Sequence, residues 1–536
     1  MTLQRKTSSR RCALALTTLL FASALLVAQT KTAVTTYHND NYRTGWNHKE
    51  TQLTPANVGS PAFHLLESVT LDDQVDTQPL IVPNQNITTG SKTRKRQVVY
   101  VATEGNTIYA INSNNGEILL SPNFGPPVRY PLGCNNNGPN VGINGTPVID
   151  RPNNTMYAII YTNESQGPVY RIHALDLDTL NDKVSPVVVS ASHTLANGTT
   201  IQFNAKYQRQ RPGLLLANGN VYAGFGSFCD YYANLSRGWV LGWQANTLTP
   251  LATNQVLDIQ ASSTNNYFLS SIWMSGYGIA ADPAGNLYFV TGNSDYSGTS
   301  YDGITNLQES VVKVSGDLSQ VLDLFTPSDQ GSLDQSDADF GSGGVMLLPQ
   351  PHQRGLPNLA VAAGKEGNMF LLNRSHMGGF NINGNDVLGT FYIGGCWCGE
   401  SYFVDPADLA PRVVSSGGNW VGIWKVQTSP SVTLTNISNS IGLVGQLDPG
   451  FFTSVSSNGT ASPIIWAVNR PNQSSPYTVL LYAFDPEAPG VTLKQIFHGP
   501  AGSWPNIGGN SNIVPAVANG KVFVASYQQL AIFGLN

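Results

Sequence analysis

The sequence predicts an all-β fold, a single eight-bladed β-propeller, from three observations. Short runs of β-branched and aromatic residues alternate with turn residues along the chain. These β-meanders recur at about 40 to 60 residues, the spacing of propeller repeats or slightly above it. Charged residues make up only 11% of the chain, against about 25% in a typical globular protein, and Gly, Asn, Ser and Thr replace them. That composition suits a surface of many tight turns.

The first 28 residues are predicted to be a signal peptide. Four basic residues open the chain: Arg5, Lys6, Arg10 and Arg11. An apolar run, Cys12–Ala28, follows and ends in small residues. A single membrane anchor is the alternative, but the run is short for a span. We therefore expect export to the periplasm or the extracellular space, and no membrane span once the signal is removed.

Residues 29–61 are expected to form a lead-in segment and residues 62–536 the propeller. The eight predicted units are Val98–Asn112, Thr146–Leu175, Gly213–Trp243, Gly278–Val314, Gly344–Leu372, Tyr402–Asn436, Phe451–Phe497 and Ile513–Phe533. The last unit is short by one strand, and Phe63–Leu71 could supply it. N- and C-terminal strands would then close the ring and remove exposed sheet edges. A seven-bladed ring, a β-helix and a pair of sandwiches are the alternatives to eight four-stranded antiparallel blades.

The charge of the chain restricts its partners. The net charge is −5, and the body of the chain has no long basic run. Nucleic acid and anionic membranes are therefore poor candidates for the main partner. We expect a monomer that binds a small molecule or a protein at the central funnel.

Four cysteines remain after signal removal. We expect a disulfide between Cys134 and Cys229, since the compartment is oxidising. Cys396 and Cys398 are too close in sequence for a relaxed disulfide, which leaves a strained bond or reduced thiols. A metal site is the alternative for these cysteines, but no CxxC pair or clustered His supports it.

Three segments resemble the PQQ-like propeller proteins, whose catalytic members bind pyrroloquinoline quinone (PQQ). Tyr37–Gly45 contains the Arg-Thr-Gly that is common in their lead-in segment. Val99–Ile111 and Ala363–Arg374 resemble their blade core. The similarity covers nearly the whole mature chain, and a shared fold does not by itself establish an activity.

Resemblance to the quinoprotein dehydrogenases of this group implies a cofactor site. Trp273 is similar to the Trp that stacks under the quinone, and Lys365 matches a Lys or Arg that contacts it. Gly417-Gly418-Asn419-Trp420 resembles a motif whose Asn approaches the quinone, although it is one residue short. A planar quinone with carboxylates needs an aromatic floor and cations, so these residue types fit it.

The same resemblance implies a Ca²⁺ site and a catalytic base. Asn293, in Thr291-Gly292-Asn293, matches a calcium ligand, and Asp230 lies where these enzymes carry a Glu ligand. Asp339 matches their catalytic Asp, which accepts the proton of an alcohol. Ca²⁺ prefers oxygen ligands, which Asp230, Asn293 and Asp339 could supply, and it would polarise a quinone carbonyl.

The sequence also departs from these enzymes. Where they have two adjacent cysteines it has only Cys134, followed by three Asn, and their nearby quinone-binding Arg is not evident. No CxxCH motif exists, so no haem is expected. Each candidate also has a purely structural interpretation: Trp273 as a blade-packing residue, Asn293, Asn419 and Asp339 as turn residues, and Lys365 as a hairpin tip.

Two functions therefore stay open. One is a PQQ- and Ca²⁺-dependent oxidoreductase of alcohols or sugars. The other is a non-catalytic propeller that serves as a binding or scaffolding module. Convergence of the candidate residues on one central pocket would favour the enzyme.

Overall fold

The computed structural model describes residues 1–2, 31–136, 138–195, 198–230, 236–256, 270–294, 301, 303, 306–349, 357–443, 449–471, 475–488, 490–506 and 512–536. The chain divides into two units, Met1–Lys31 and Thr32–Asn536, and every strand belongs to the second. Residues 3–28 of the predicted signal peptide lie outside the described residues. Within the described ranges, no helix has both the length and the apolar character needed to cross a membrane.

Eight sheets, which we call blades 1 to 8, confirm the predicted propeller. Within each of blades 1 to 7, the main strands follow one another in the sheet from the innermost strand outward. Gly379–Phe380 adds a parallel strand to blade 4, and Trp46–Asn47 adds one to blade 7. Blades 1 to 4 comprise Leu80–Thr89, Lys92–Ala102, Ile108–Asn112 and Ile118–Leu120; Val148–Asp150, Thr155–Glu164, Gly167–Asp176 and Val187–Val188; Gln208–Gln210 with Leu215–Ala217, Asn220–Ser227, Trp239–Gln244 and Gln255–Val256; and Ala280–Ala281, Leu287–Val290, Val311–Val314 and Val321–Thr326.

Blades 5 to 8 complete the ring. They comprise Val345–Leu347, Leu359–Ala363, Asn368–Asn373 and Gly389–Tyr392; Ser401–Val404, Pro411–Ser415, Gly422–Gln427 and Thr433–Asn439; Phe452–Asn458, Ala461–Val468, Thr478–Asp485 and Lys494–Ser503; and Ala516–Ala518, Lys521–Leu535 and Phe63–Gln74. Two α-helices, Pro55–Val58 and Gln330–Ser336, and the 3₁₀ turns Pro131–Gly133, Met274–Gly276 and Phe340–Ser342 interrupt the strands. Short strand pairs lie outside the blades: Val128–Arg129 with Asn140–Val141, and Ser192–Thr194 with Thr200–Gln202.

Central strands of the blades are apolar at consecutive positions because both of their faces are covered. Every residue of Leu359–Ala363 is buried, as is every residue of Leu287–Val290. Side chains of a strand point alternately to opposite faces of the sheet, so such a run packs against the neighbouring blade on each side. The apolar core therefore lies between the blades and extends around the ring.

Blade 8 closes the ring with the two ends of the propeller, as predicted. Phe63–Gln74 pairs antiparallel with Lys521–Leu535, starting with Phe63 opposite Leu535. The chain reverses within Lys521–Leu535, because a Cβ at Gly534 would lie 3.1 Å from the carbonyl oxygen of Gly520. Val522–Ser526 and Leu530–Phe533 are therefore the two strands of a hairpin whose turn contains Gln528, with a φ of 53°. With Ala516–Ala518 and Phe63–Gln74 they give the blade its four predicted strands.

The lead-in segment makes one circuit of the ring on its inner side. Val34–Asn47, which we call the hub segment, hydrogen-bonds to every blade in order, with donor–acceptor distances of 2.7 to 3.0 Å. The contacts join Val34 to Ile81 (blade 1), Thr35 to Ile149 (blade 2), Asn41 to Leu216 (blade 3) and Ala281 (blade 4), Tyr42 to Leu347 (blade 5), Thr44 to Tyr402 (blade 6), Gly45 to Val455 (blade 7) and Asn47 to Val517 (blade 8).

Arg43 is the most extensively bonded side chain of the hub segment. Its guanidinium is fully buried and donates to the carbonyl oxygens of Ile279, Tyr37 and Leu214, and to Thr36 Oγ1. Burial lowers the pKa of Arg43 to about 10, so it stays charged at neutral pH. The Arg-Thr-Gly seen in the sequence therefore fills the axis of the propeller.

Candidate functional site

A pocket opens on the side of the ring where the innermost strands of blades 4 to 6 begin. Its walls enclose an empty volume of about 480 Å³, open solvent at the mouth included. The lining residues are Asn136, Arg209, Arg211, Ser227, Cys229, Asp230, Trp273, Ser275, Asp339, Ser342, Lys365 and Trp397. Four predicted residues that are distant in sequence, Asp230, Trp273, Asp339 and Lys365, are therefore brought together from three blades.

Two glycines allow Trp273 to lie against the strands at the pocket wall. A Cβ atom at Gly226 would lie 2.6 Å from Trp273 Nε1, and one at Gly292 would lie 2.7 Å from Trp273 Cζ3. A Cβ at Gly292 would also lie 2.7 Å from Asp339 Oδ1. The Gly of Thr291-Gly292-Asn293 therefore provides the space in which the indole and the carboxylate approach each other. Trp273 is half-buried and lines the pocket.

Asp339 is held at the pocket by neighbours on both of its oxygens. Its Oδ1 accepts the backbone N–H of Asn293 at 2.9 Å, and its Oδ2 lies 2.6 Å from Lys365 Nζ. Burial raises the pKa of Asp339, and the Lys365 ammonium opposes that effect. Lys365 also bonds to Asp337, whose carbonyl oxygen is 2.9 Å and whose Oδ1 is 3.2 Å away. The nearby carboxylates raise the pKa of Lys365 above its usual value.

Asn293 is buried beside Asp339 and keeps one acceptor without a partner. Its Nδ2 donates to Asp337 Oδ1 at 3.1 Å, whereas its Oδ1 has no hydrogen-bond partner among the described residues. Glu309 lies behind it, fully buried, and accepts the backbone N–H of Phe340 at 2.6 Å. Glu309 Oε1 likewise lacks a partner in the described part of the chain. Unsatisfied buried oxygens are costly, so these two favour a donor or a cation that the protein itself does not supply.

Asp230 reaches the pocket from the second strand of blade 3. Its Oδ1 accepts the Ser227 hydroxyl at 2.6 Å. Burial, together with the negative charge of Asp339, raises the pKa of Asp230 to about 8. A carboxylate whose pKa is raised by a neighbouring carboxylate would gain from a cation that both share.

The carboxylates do not form a closed metal site by themselves. Across the described ranges, only Cys396, Cys398 and Glu400 place three ligand atoms of His, Cys, Asp or Glu within 4.8 Å of one another. There both sulfurs are in a disulfide, which removes them as thiolate ligands. A Ca²⁺ ion near Asp339 would therefore need further oxygen ligands, from Asn293 Oδ1 and from water or a bound small molecule.

Asn419 is not one of the residues lining the pocket. Its side chain is exposed, and its carbonyl oxygen accepts the backbone N–H of Leu443 in a turn. The neighbouring Trp420 is also partly exposed, at 38%. The structure does not bring this predicted cofactor contact together with the other candidates.

Two arginines on the inner strand of blade 3 line the pocket, and the sequence comparison did not find them. Arg209 and Arg211 are 3% and 4% exposed. Residues two apart on a strand point to the same face, so both can reach one cavity. The pattern Gln208-Arg209-Gln210-Arg211 in a chain with so few charges is the signal that could have identified them.

Both cysteine pairs form disulfides at or near the pocket. Cys134 and Cys229 are joined, with their Cα atoms 5.6 Å apart, and Cys229 lies on the pocket wall. Cys396 and Cys398 are also joined, and Trp397 between them lines the opposite wall. The Lys365 ammonium lies 5.5 Å from the centre of a Trp397 ring. Trp397 is a second pocket tryptophan that the sequence did not indicate.

Strained backbone surrounds this pocket. Six non-glycine residues near it have positive φ: Cys229, Asp230, Met274, Ser275, Glu309 and Asp337, with φ from 47° to 56°. Left-handed conformations are unfavourable for such residues and tend to occur at functional sites, where the surrounding structure maintains them. Their concentration here supports a role for the pocket beyond packing.

Comparison with known proteins shows the fold. No protein-family model and no curated protein matches the chain in sequence. Solved structures do match it. A quinohemoprotein alcohol dehydrogenase from Comamonas testosteroni has a TM-score of 0.60 at 14% identity, over 94% of this chain and 80% of that chain. One from Pseudomonas putida HK5 has the same TM-score at 15% identity, over 94% and 80%.

A europium-containing methanol dehydrogenase also matches, with a TM-score of 0.60 at 12% identity, over 94% of this chain and 98% of that chain. Identities this low establish the fold alone. The predicted resemblance is confirmed at that level: the chain has the eight-bladed, quinoprotein alcohol dehydrogenase-like β-propeller fold.

Proposed function

We propose that this chain is an exported oxidoreductase that uses PQQ and Ca²⁺ to oxidise an alcohol or a sugar. The observation that supports it most is the convergence of Asp230, Trp273, Asp339 and Lys365, from three blades, on one pocket. Buried Asn293 stands beside them with an oxygen that no described residue satisfies. Bound PQQ would supply a two-electron acceptor, and Ca²⁺ would polarise its reactive carbonyl.

The residues present fit these two groups. Trp273 and Trp397 offer flat apolar surface to a planar ring. Asn293 Oδ1 and the carboxylates of Asp230 and Asp339 are the oxygen ligands that Ca²⁺ prefers. The predicted contact from Asn419 is left out of this proposal because its side chain is exposed.

Asp339 is the residue we propose as the proton acceptor. It is 2% exposed, so a substrate hydroxyl in the pocket would meet it away from bulk water. Burial raises the pKa of Asp339, and the Lys365 ammonium opposes this and favours the ionised carboxylate. A proton from a substrate hydroxyl would pass to the carboxylate, as in general base catalysis.

Reconstitution tests this proposal. Purified protein is mixed with PQQ, with and without Ca²⁺, and quinone absorbance, tryptophan fluorescence and dye reduction with alcohols and sugars are measured. We expect calcium-dependent binding, and dye reduction that falls about 100-fold or more in D339N while PQQ still binds. D317N, at an exposed turn of blade 4, is the control.

The non-catalytic alternative retains one supporting observation. The described carboxylates do not gather into a closed cation site, and both oxygens of Asp339 are already engaged. If PQQ fails to bind at micromolar concentration in the presence of Ca²⁺, the enzyme proposal is wrong and a binding or scaffolding module is favoured. Recovery of a mature protein from the periplasm or medium tests export separately.

A further inference from the structure

Arg209 and Arg211, which we call the arginine wall of the pocket, have guanidinium N–H groups without a hydrogen-bond acceptor among the described residues. Arg209 Nε donates to Asn144 Oδ1 at 3.2 Å, but Arg209 Nη2 has no partner in the described part of the structure. Arg211 Nε and Nη2 also have none among those residues. A buried guanidinium normally has its N–H groups matched to acceptors, as Arg43 shows. These donors lie instead on the wall of a cavity.

Charge at this wall is also unbalanced. Asp76 and Glu104 are the nearby carboxyls, and they share a side-chain hydrogen bond, which requires a proton on one of them. Burial and the charge of Asp76 raise the pKa of Glu104 well above its usual value. A carboxyl pair that shares one proton carries one negative charge, and Asp230 is the further carboxyl near Arg209. Three arginines, Arg209, Arg211 and Arg470, lie close to these groups.

The opposite side of the pocket has the reverse sign. Asp337 and Asp339 stand there beside Lys365. A neutral alcohol or sugar would leave the arginine side with excess positive charge. A ligand with an anionic group at one end would neutralise it.

We propose that Arg209 and Arg211 together bind a carboxylate group of the pocket's ligand. The fork of a guanidinium matches a carboxylate in geometry, and hydrogen bonds between ionised partners are roughly twice as strong as neutral ones. The proposal goes beyond the oxidoreductase function, since the carboxylate can belong to PQQ or to an acidic substrate. It identifies the ligand class as an organic acid.

Binding measurements on the full mature chain test it with two probes. PQQ, a tricarboxylate, and tartrate, a dicarboxylate that is not a quinone, are titrated with and without Ca²⁺, and calorimetry and tryptophan fluorescence are followed. We expect R209Q and R211Q each to weaken binding about tenfold or more. R412Q removes an equally buried arginine whose partners are Asp405 and Asp408, far from the pocket lining, and should change affinity less than twofold.

The ligand-free variants give a second readout. The R211Q variant loses a buried positive charge from a wall that has excess positive charge. Its melting temperature should therefore equal or exceed that of the wild type. A structural arginine would behave in the opposite way, and R412Q should melt lower. R211K, which keeps a charge but loses the fork, should fold and bind carboxylates with intermediate affinity, and it replaces R211Q if that variant does not fold.

The outcomes separate this inference from the proposed function. Arginine-dependent binding of PQQ supports both and assigns the carboxylate to the cofactor. Arginine-dependent binding of tartrate without binding of PQQ supports the inference, assigns the carboxylate to a substrate and contradicts the proposed function. The inference is overturned if neither probe binds at millimolar concentration, or if R209Q and R211Q bind as the wild type does.

Discussion

At the scale of single residues, the pocket contains some polar groups with hydrogen-bond or ion-pair partners and others without them among the described residues. Lys365 and Asp339 satisfy each other, whereas Asn293 Oδ1 and the donors of Arg211 do not find partners within the described ranges. Structural interiors rarely leave polar atoms in that state. The unmatched atoms therefore mark where a ligand would complete the structure.

Gly292→Ala should disturb the pocket without unfolding the protein. The new Cβ would lie 2.7 Å from both Trp273 Cζ3 and Asp339 Oδ1, so the indole or the carboxylate must move. We expect a shifted tryptophan emission and about tenfold weaker PQQ binding. G331A is the control, because a Cβ at Gly331 meets no atom within 4 Å. Wild-type emission and affinity in G292A would contradict this account of the Thr-Gly-Asn motif.

Glu400→Gln should change how stability depends on pH. Glu400 is fully buried, neither carboxyl oxygen has a partner among the described residues, and burial raises its pKa to about 7. The unfolded chain releases this proton near pH 4.5, so the folded state holds an extra proton between about pH 4.5 and 7 and loses stability as the pH rises through that window.

We expect E400Q to remove this loss. Its free energy of unfolding should exceed the wild-type value by about 3 kcal/mol above pH 7 and match it at pH 4. Thermal unfolding between pH 4 and 8 measures the effect, and E117Q, at an exposed glutamate, controls for the loss of a charge. If the free energy of unfolding of E400Q and of the wild type changed with pH in the same way, the Glu400 carboxyl would have hydrogen-bond partners in solution and this account would be wrong.

Some of these residues could be predicted from sequence and others could not. Trp273, Asn293, Asp339 and Lys365 lie in short local motifs, so a comparison of motifs finds them. Arg209, Arg211 and Trp397 become neighbours of those residues only because blades 3, 5 and 6 face one cavity. Asn419 has a motif that is one residue short, and its turn faces solvent.

At the scale of elements, the hub segment is the part that the sequence described least completely. Its Arg-Thr-Gly indicated the family resemblance, but nothing in the segment shows that it contacts all eight blades. Its hydrogen bonds join residues up to 470 positions apart, as between Asn47 and Val517. Local patterns cannot report contacts of that range, whereas they do report turns and strand periodicity.

Arg43→Met should destabilise the whole protein. The change removes a buried cation and leaves the carbonyl oxygens of Ile279 and Tyr37 without this donor. We expect a loss of about 3 kcal/mol or more in the free energy of unfolding. Denaturant unfolding measures it, with R151M at an exposed turn as the control. Equal stability of R43M and R151M would refute a central role for the hub segment.

At the scale of the whole molecule, the ring is closed by strands from the two ends of the propeller. The repeat spacing and the incomplete last unit predicted this closure because they are properties of the sequence period. The turn residues between Val522–Ser526 and Leu530–Phe533 predicted the reversal that completes the four strands of blade 8. Closure makes each blade depend on two neighbours.

Phe63→Ala should therefore weaken every blade together. Phe63 is 3% exposed and its ring lies 4.9 Å from that of Phe497 and 5.5 Å from that of Trp466. The cavity should cost about 3 to 5 kcal/mol. Hydrogen exchange should rise in distant blade 4 as well as in blade 8, while I437A, at an exposed position of blade 6, should leave exchange in both blades unchanged. Faster exchange confined to blade 8 would contradict cooperative closure.

The hub segment has a consequence for biosynthesis. Its residues are made before any blade, yet their last partner, Val517, leaves the ribosome near the end of translation. The hub segment must therefore wait for its last partner while some 470 residues are made, and the axis is filled only afterwards. A ring of this design completes its fold only when its final strands have been synthesised.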